Sequence, residues 1–212
     1  MAGEKTKGGL AVPGGLILGV TGGIGCGKSE VGRCLARLGW AVVDTDAMAH
    51  AAIEPTGPAY TAVIERFGES IRDADGRINR RRLGERVFGD PAEREALNAI
   101  VHPPVRQAWR AWADGIRRKQ IAGAVIIPLL FEVGAERDMD TVLCVVTAMD
   151  QALVRLAARG MTEQQARQRM AAQWPIERKR EHADYVIENN GSLEDLMTST
   201  RQVAAMILKK ER

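Results

Sequence analysis

Short apolar runs at residues 16–21, 40–43, 124–127, 141–147 and 185–187 alternate with stretches whose apolar positions recur at helical spacing. Each run is nearly all apolar rather than alternating, the pattern of strands buried on both faces of a parallel sheet. Strands and helices in alternation predict an α/β fold: a five-stranded parallel sheet with helices on both faces. Behind the first strand, Val31, Cys34, Leu35 and Leu38 fall on one helical face. Residues 47–123 form a long, mostly helical excursion before the third strand. Within it Asp75-Gly76 marks a turn, and Asp90-Pro91-Ala92-Glu93 marks a helix start, with Asp as N-cap and Pro at the first position. His102-Pro103-Pro104 breaks the helical pattern. Val105, Ala108, Trp109 and Trp112 then resume it at a spacing that suits core packing. Residues 150–182 form a helical hairpin, with Asp150 capping its first helix and a Thr162-Glu163-Gln164-Gln165 capping box opening the second. Ser192-Leu193-Glu194-Asp195 opens a final amphipathic helix, and the chain has no internal repeat. Residues 1–15, rich in Gly and Lys and without periodicity, are expected to be a disordered extension.

Composition narrows this picture without redrawing it. A chain of 212 residues suits one α/β domain with insertions, or one domain with a small appended one. Hydrophobic content of 45% and charged content of 27% are ordinary for a soluble globular protein. A net charge of +3 is too small to imply a nucleic-acid partner, although a local basic cluster could bind an anionic small molecule. The longest apolar run, residues 122–131, is too short to span a bilayer and contains Pro128. No secretory signal is evident at the N-terminus. Three scattered cysteines argue against a disulfide framework and for a reducing, cytoplasmic location.

The chemistry concentrates where the first strand meets the first helix. Gly22-Gly23-Ile24-Gly25-Cys26-Gly27-Lys28-Ser29 fits the phosphate-binding loop pattern G-x-x-x-x-G-K-[ST]. Its glycines let the backbone point N–H groups inward at phosphates, and the helix behind adds its dipole to the anion site. Lys28 is suited to reach β/γ-phosphates, and the Ser29 hydroxyl to ligate Mg²⁺. The second strand ends in Asp44-Thr45-Asp46, where an open α/β sheet handles its ligand. Helix capping accounts comfortably for one of these two carboxylates, less easily for both. Arg77, Arg80, Arg81, Arg82 and Arg86 form either a solvated helix face or an anion site. In the hairpin, Arg155, Arg159, Arg167, Arg169, Arg178, Lys179 and Arg180 outnumber Glu163, Glu177 and Glu181. A basic hairpin between late strands looks like a lid that closes over phosphates, with some of these residues serving as plain surface. A lone His102 is more often structural than catalytic.

These motifs, in order, make the chain similar to the dephospho-CoA kinase family, over about residues 16–205. The resemblance is carried by Val20-Thr21-Gly22-Gly23-Ile24-Gly25 running into the phosphate loop and by Asp44-Thr45-Asp46. It continues with Arg80 and Leu83-Gly84, Val87-Phe88, His102-Pro103, and Pro128-Leu129-Leu130-Phe131-Glu132. Gln151, Arg155, Arg159-Gly160, Ala171-Ala172-Gln173, Ala183-Asp184-Tyr185-Val186-Ile187 and Asn190-Gly191 complete it. Departures from the family pattern are Glu30 after the loop serine, Asn79 before the arginine, and Asn189 before Asn190-Gly191. The resemblance implies a P-loop kinase domain over residues 16–212, with a core of 16–46, 124–150 and 183–212, a helical acceptor-binding insertion at 47–123 and a lid at 151–182. It implies ATP-dependent phosphorylation of the ribose 3′-hydroxyl of dephospho-CoA, with ATP and Mg²⁺ required. ATP is then expected on Gly23, Gly25, Cys26, Gly27, Lys28, Ser29, Glu30, Arg155 and Asn190, with Asn190 near adenine and Ser29 on the metal. The acceptor is expected on Asp46, Arg80, His102 and Leu130. Asp46, Lys28 and Arg155 are the implied catalytic groups, with Asp46 taking the hydroxyl proton. The loop and lid by themselves also suit a nucleoside monophosphate or shikimate kinase. A GTP-binding regulatory module would need an N-K-x-D element, which the sequence lacks.

Overall fold

All seven residues of strand β1 (Leu16–Gly22) are buried, and the sheet is built outward from it. The computed structural model describes residues 11, 12 and 14–210. In chain order, β1 is followed by α1 (Lys28–Arg37), β2 (Ala41–Asp44), α2 (Thr45–Ala52), α3 (Tyr60–Phe67), α4 (Arg80–Phe88) and α5 (Pro91–Lys119). Then come β3 (Ala122–Ile126), β4 (Thr141–Val146), α6 (Met149–Ala157), α7 (Glu163–Ala171), α8 (Ile176–His182), β5 (Tyr185–Glu188) and α9 (Leu193–Lys210). The chain divides into two compact units, residues 1–43 with 113–212, and residues 44–112.

In the first unit the strand order is β2-β3-β1-β4-β5, a parallel sheet. β1 pairs with β3 from Leu16↔Ala122 to Val20↔Ile126, and with β4 from Leu18↔Thr141 to Gly22↔Val145. β3 starts two residues earlier than the apolar run suggests, because Ala122 and Gly123 hold register against Leu16 and Ile17 without any β-branched side chain of their own. Leu18, Val20, Val31, Leu35, Ala124, Leu143, Val145, Ile187 and Ile207 belong to one buried cluster. Each fully buried Leu, Ile or Val contributes about 1.5–3 kcal/mol. β2 is only half-buried, as an edge strand, rather than fully buried as its composition suggests.

Three expectations change here. Of the extension expected over residues 1–15, residues 1–10 and 13 lie outside the described residues. Ala11, however, bridges to Ile121, and Val12 is buried with its N–H donating to Gln120 O at 2.8 Å. Apolar burial and a backbone pairing thus tie the chain down from Ala11. The segment over residues 150–182 is three helices rather than a hairpin, because Gly160, at φ 80°, closes the turn after α6, and Pro175 disfavours helix at Trp174. Asp150 does not cap α6; it sits inside the first turn behind N-cap Ala148, whose N–H donates to Asn190 Oδ1 at 2.8 Å. The Thr162–Gln165 capping box is formed.

In the second unit, Val63, Phe67, Ile71, Ile78, Leu83, Val101, Val105 and Trp109 are buried. Asp90 caps α5 by accepting from Ala92 N at 2.8 Å. α5 then runs unbroken through Pro103 and Pro104, against the expected interruption. The two rings remove N–H groups that would bond the carbonyls of Ala99 and Ile100. Val101, Val105 and Trp109, four apart and all buried, anchor the same face on either side. The arginine cluster resolves into ion pairs: Arg80 with Glu54 at 2.9 Å, Arg81 with Glu85 at 3.2 Å, Arg82 with Asp73 at 3.4 Å and Arg86 with Glu93 at 3.7 Å.

Candidate active site

The phosphate loop takes its shape from positive-φ glycines. Gly22 (φ 142°) leaves β1 so close to Val145 O that a side chain has no room. Gly27 (φ 99°) is the N-cap of α1, and a Cβ there would lie 2.5 Å from Asn189 Nδ2. That amide donates to Cys26 O at 2.8 Å, and Asn189 is 5% exposed. The end of β5 therefore pins the loop from below. Lys28 opens α1 and folds its Nζ across the loop, donating to Gly23 O at 2.7 Å and Gly22 O at 3.1 Å. An ammonium group and a helix N-terminus thus meet at one turn of backbone, a built anion site. Ser29 follows, exposed, in the first turn of α1.

The carboxyl ends of β4 and β5 complete this side. Thr147 Oγ1 donates to Asn189 O at 2.8 Å, and Gln151 Nε2 to Asn190 O at 2.9 Å. Arg155 is half-buried and donates to Asn189 O at 3.0 Å, with longer contacts to Thr147 Oγ1 and Gln151 Oε1. A cavity of about 520 Å³ opens here, lined by Gly23 and Cys26 of the loop, Thr147 before α6 and Met149 at its start, and Trp174 and Glu177 around the α7–α8 joint. Its volume and mixed lining suit a small-molecule ligand. Arg167, one of the basic residues of the 150–182 segment, borders the same cavity while pairing with Glu163 at 2.8 Å.

The structure brings together Gly23, Gly25, Cys26, Gly27, Lys28, Ser29, Arg155 and Asn190 at these strand ends. Glu30 instead pairs with Arg33 on the exposed face of α1. Leu130, expected to touch the acceptor, is fully buried, packed where a Cβ on Gly19 would meet its Cδ1 at 2.7 Å. Its side chain belongs to the core. Asp44 is the N-cap of α2 and accepts from Asp46 N at 2.9 Å, leaving Asp46 exposed in the first turn. Arg80 and His102 lie in the second unit with Asp46. Partial burial lowers the pKa of His102 below the usual imidazole value.

Sequence reasoning passed over Asn189 and Thr147. Asn189 registered only as a departure from the family pattern, and nothing local in the sequence marks a side chain that bonds a loop 163 residues away. All three cysteines are buried free thiols. Burial and neighbouring Cys26 push Cys144 up to about 12, with Lys179 and Lys28 offsetting part of the effect. Among the described residues no group of three or more His, Cys, Asp or Glu is arranged to hold a metal, and no helix is long and apolar enough to cross a membrane.

The family model for dephospho-CoA kinase matches residues 16–195. The dephospho-CoA kinase of Geobacillus kaustophilus (strain HTA426) is 43% identical over 197 residues, 92% of this chain and 96% of that protein. Among solved structures, a Thermus thermophilus protein superposes with a TM-score of 0.75 at 35% identity, covering 91% of this chain and 97% of its own. Dephospho-CoA kinase from Campylobacter jejuni superposes with a TM-score of 0.70 at 27% identity, covering 92% and 98%.

Proposed function

The chain belongs to the dephospho-CoA kinase family, and we propose that its Gly22–Ser29 loop holds the ATP phosphates while Asp46 serves the ribose 3′-hydroxyl of dephospho-CoA. The reaction is transfer of the ATP γ-phosphoryl group to that hydroxyl, giving coenzyme A and ADP, the last step of coenzyme A synthesis. The observation that carries the assignment is the loop itself, pinned through Cys26 O and topped by Lys28 beside a cavity of about 520 Å³.

In phosphoryl transfer a protein mainly positions the reactants and neutralises charge. Lys28 exchanges its loop carbonyls for β/γ-phosphate oxygens, and the N–H groups around Gly25 and Gly27 take the remaining charge. The adenosine part lies in the cavity bounded by Thr147, Met149 and Trp174, with Asn190 behind its wall, accepting from Ala148 N at 2.8 Å. Ser29 fits Mg²⁺: a hydroxyl oxygen, exposed in the first turn of α1, is the hard donor the ion takes alongside phosphate oxygens and water. When bound, the ion neutralises phosphate charge. The acceptor lies on the residues 44–112, with Arg80 and His102 as its contacts. Asp46 aligns the 3′-hydroxyl and accepts its proton late in transfer. The three free thiols suit a reducing cytoplasm.

The test separates the two aspartates. Asn is as good an N-cap as Asp, so Asp44→Asn should leave the melting temperature nearly unchanged, and Asp46→Asn, exposed in the first turn of α2, should lower it by no more than the loss of one favourable helix-dipole charge, about 0.3–1 kcal/mol. Asp46→Asn should cut kcat by about 10²-fold or more, the range for loss of a general base, while ATP binding is retained. Asp44→Asn should stay much closer to the wild type. Near-wild-type turnover in a well-folded Asp46→Asn protein would refute the assignment.

A further inference from the structure

The helices over the cavity contain a cation that the transfer reaction does not use. Lys179, on α8, has a side chain with 0% exposure. Its Nζ lies 2.8 Å from Glu132 Oε1 and donates to Pro128 O at 2.8 Å. The same carbonyl accepts from Thr21 Oγ1 at 3.2 Å, and Thr21 directly precedes the phosphate loop. Glu132 Oε1 also accepts the backbone N–H of Trp174 at 2.8 Å, and Trp174 lies in the α7–α8 joint that lines the cavity. Phe131 and Trp174 stack with centroids 6.0 Å apart, and His182 meets both rings edge-on. Arg178 covers the Trp174 ring at 3.4 Å.

This pair is a poor device for stability alone. Two charges are taken out of water, and Glu132 Oε2 is buried with no hydrogen-bond partner. Well-packed apolar side chains of similar size would stabilise the fold as well or better. What the pair supplies instead is geometry. One carboxylate oxygen holds both the α8 ammonium and the Trp174 amide, and that ammonium holds the carbonyl that Thr21 also grips.

We infer that Lys179 and Glu132 are positioning residues, which dock the α7–α8 joint onto the Thr21 and Pro128 end of the sheet and so set the cavity wall against the phosphate loop. The inference rests on the reading of this cavity as the ATP site. The pair acts on the nucleotide and leaves the acceptor untouched.

Hydrogen–deuterium exchange on the full-length protein, with and without ATP, tests this alongside ATP dissociation constants and KM values for both substrates. The proteins compared are the wild type, Lys179→Met, and the double variant Lys179→Met/Glu132→Gln. The double variant removes both charges and so avoids the uncompensated buried carboxylate of the single one. In the wild type the Trp174 amide should exchange as slowly as the β-strands, and ATP should slow exchange over residues 22–29 and 173–177. In both variants the joint should exchange faster, with the Kd and KM for ATP raised about tenfold or more and the dephospho-CoA KM within about twofold of wild type. A merely structural role would lower melting temperature and active fraction while leaving both KM values alone. A folded double variant with wild-type ATP affinity overturns the inference, as does a wild-type Trp174 amide that exchanges like an exposed loop. If ATP slows nothing at residues 173–177 in the wild type, the cavity assignment is what has failed, and the inference falls with it.

Discussion

Arg155 carries two demands on one guanidinium. The family resemblance makes it a clamp on the transferring phosphoryl group, yet it donates to Asn189 O at 3.0 Å and reaches Thr147 Oγ1, the ties that join β4 and β5 beside the phosphate loop. A clamp would exchange some of these bonds for phosphate oxygens; a tie would keep them. Arg155→Ala removes both, so it should lower stability by about 0.5–1.5 kcal/mol, for hydrogen bonds lost from acceptors of which Asn189 O keeps its bond from Thr147 Oγ1, and kcat by at least about 10²-fold. Arg155→Lys separates the two roles, because an ammonium keeps the charge but not the planar fork of donors. Recovery of melting temperature without recovery of kcat in Arg155→Lys would favour the clamp. Recovery of both would reduce Arg155 to a structural tie. Arg167→Ala is the comparison: its pair with Glu163 is exposed on both sides, worth about 0–1 kcal/mol, and its place at the cavity rim should move the ATP KM only slightly.

At the scale of elements, what is local in the chain could be read and what is long-range could not. The apolar runs locate all five strands to within two residues, and the glycine pattern locates the loop, because period and backbone freedom are properties of neighbouring residues. Helix starts at Asp90, Thr162 and Ser192 were equally legible, each carrying its own capping side chain. α5 was misread at Pro103 because a local penalty for proline was outweighed by burial of Val101, Val105 and Trp109. Lys179 was counted with the basic residues of the lid because nothing adjacent in sequence announces Glu132 as its partner. Asn189 illustrates the same limit and gives a direct test. Its amide is the buried donor that joins the end of β5 to Cys26 O, and Gly27 is shaped around it. Asn189→Ala should cost about 1–3 kcal/mol, for a buried carbonyl left without its donor. Asn189→Asp should be at least as damaging, since a carboxylate would face that carbonyl with no proton to give. Chemical denaturation measures the first effect and the ATP KM the second; both parameters unchanged in Asn189→Asp would mean the amide is not what holds the loop.

At the scale of the molecule, the assigned roles divide along the two units. Every residue assigned to ATP falls within residues 1–43 and 113–212, whereas Asp46, Arg80 and His102 fall within 44–112. Leu130, the other residue expected at the acceptor, is buried in the first unit. The division has a physical consequence, because a ligand that binds only the folded state stabilises what it touches, by about 2.7 kcal/mol at a hundred times its Kd. ATP with Mg²⁺ should therefore raise the melting temperature through the first unit. Dephospho-CoA alone should act through the second. Amide chemical shifts in the 212-residue chain resolve the two cases residue by residue. ATP should move the signals of the Gly22–Ser29 loop, Thr147 and Trp174, and leave α3 and α4 near their starting positions. Dephospho-CoA should move Asp46, Arg80 and His102 and leave the loop largely unmoved until ATP is added. The arginines of the 77–86 cluster already have carboxylate partners, Arg80 with Glu54 among them. An acceptor phosphate must compete with those pairs, so its binding should weaken steeply with added salt. If dephospho-CoA instead perturbs only the first unit, the acceptor does not sit on residues 44–112, and Arg80 and His102 lose their assigned roles.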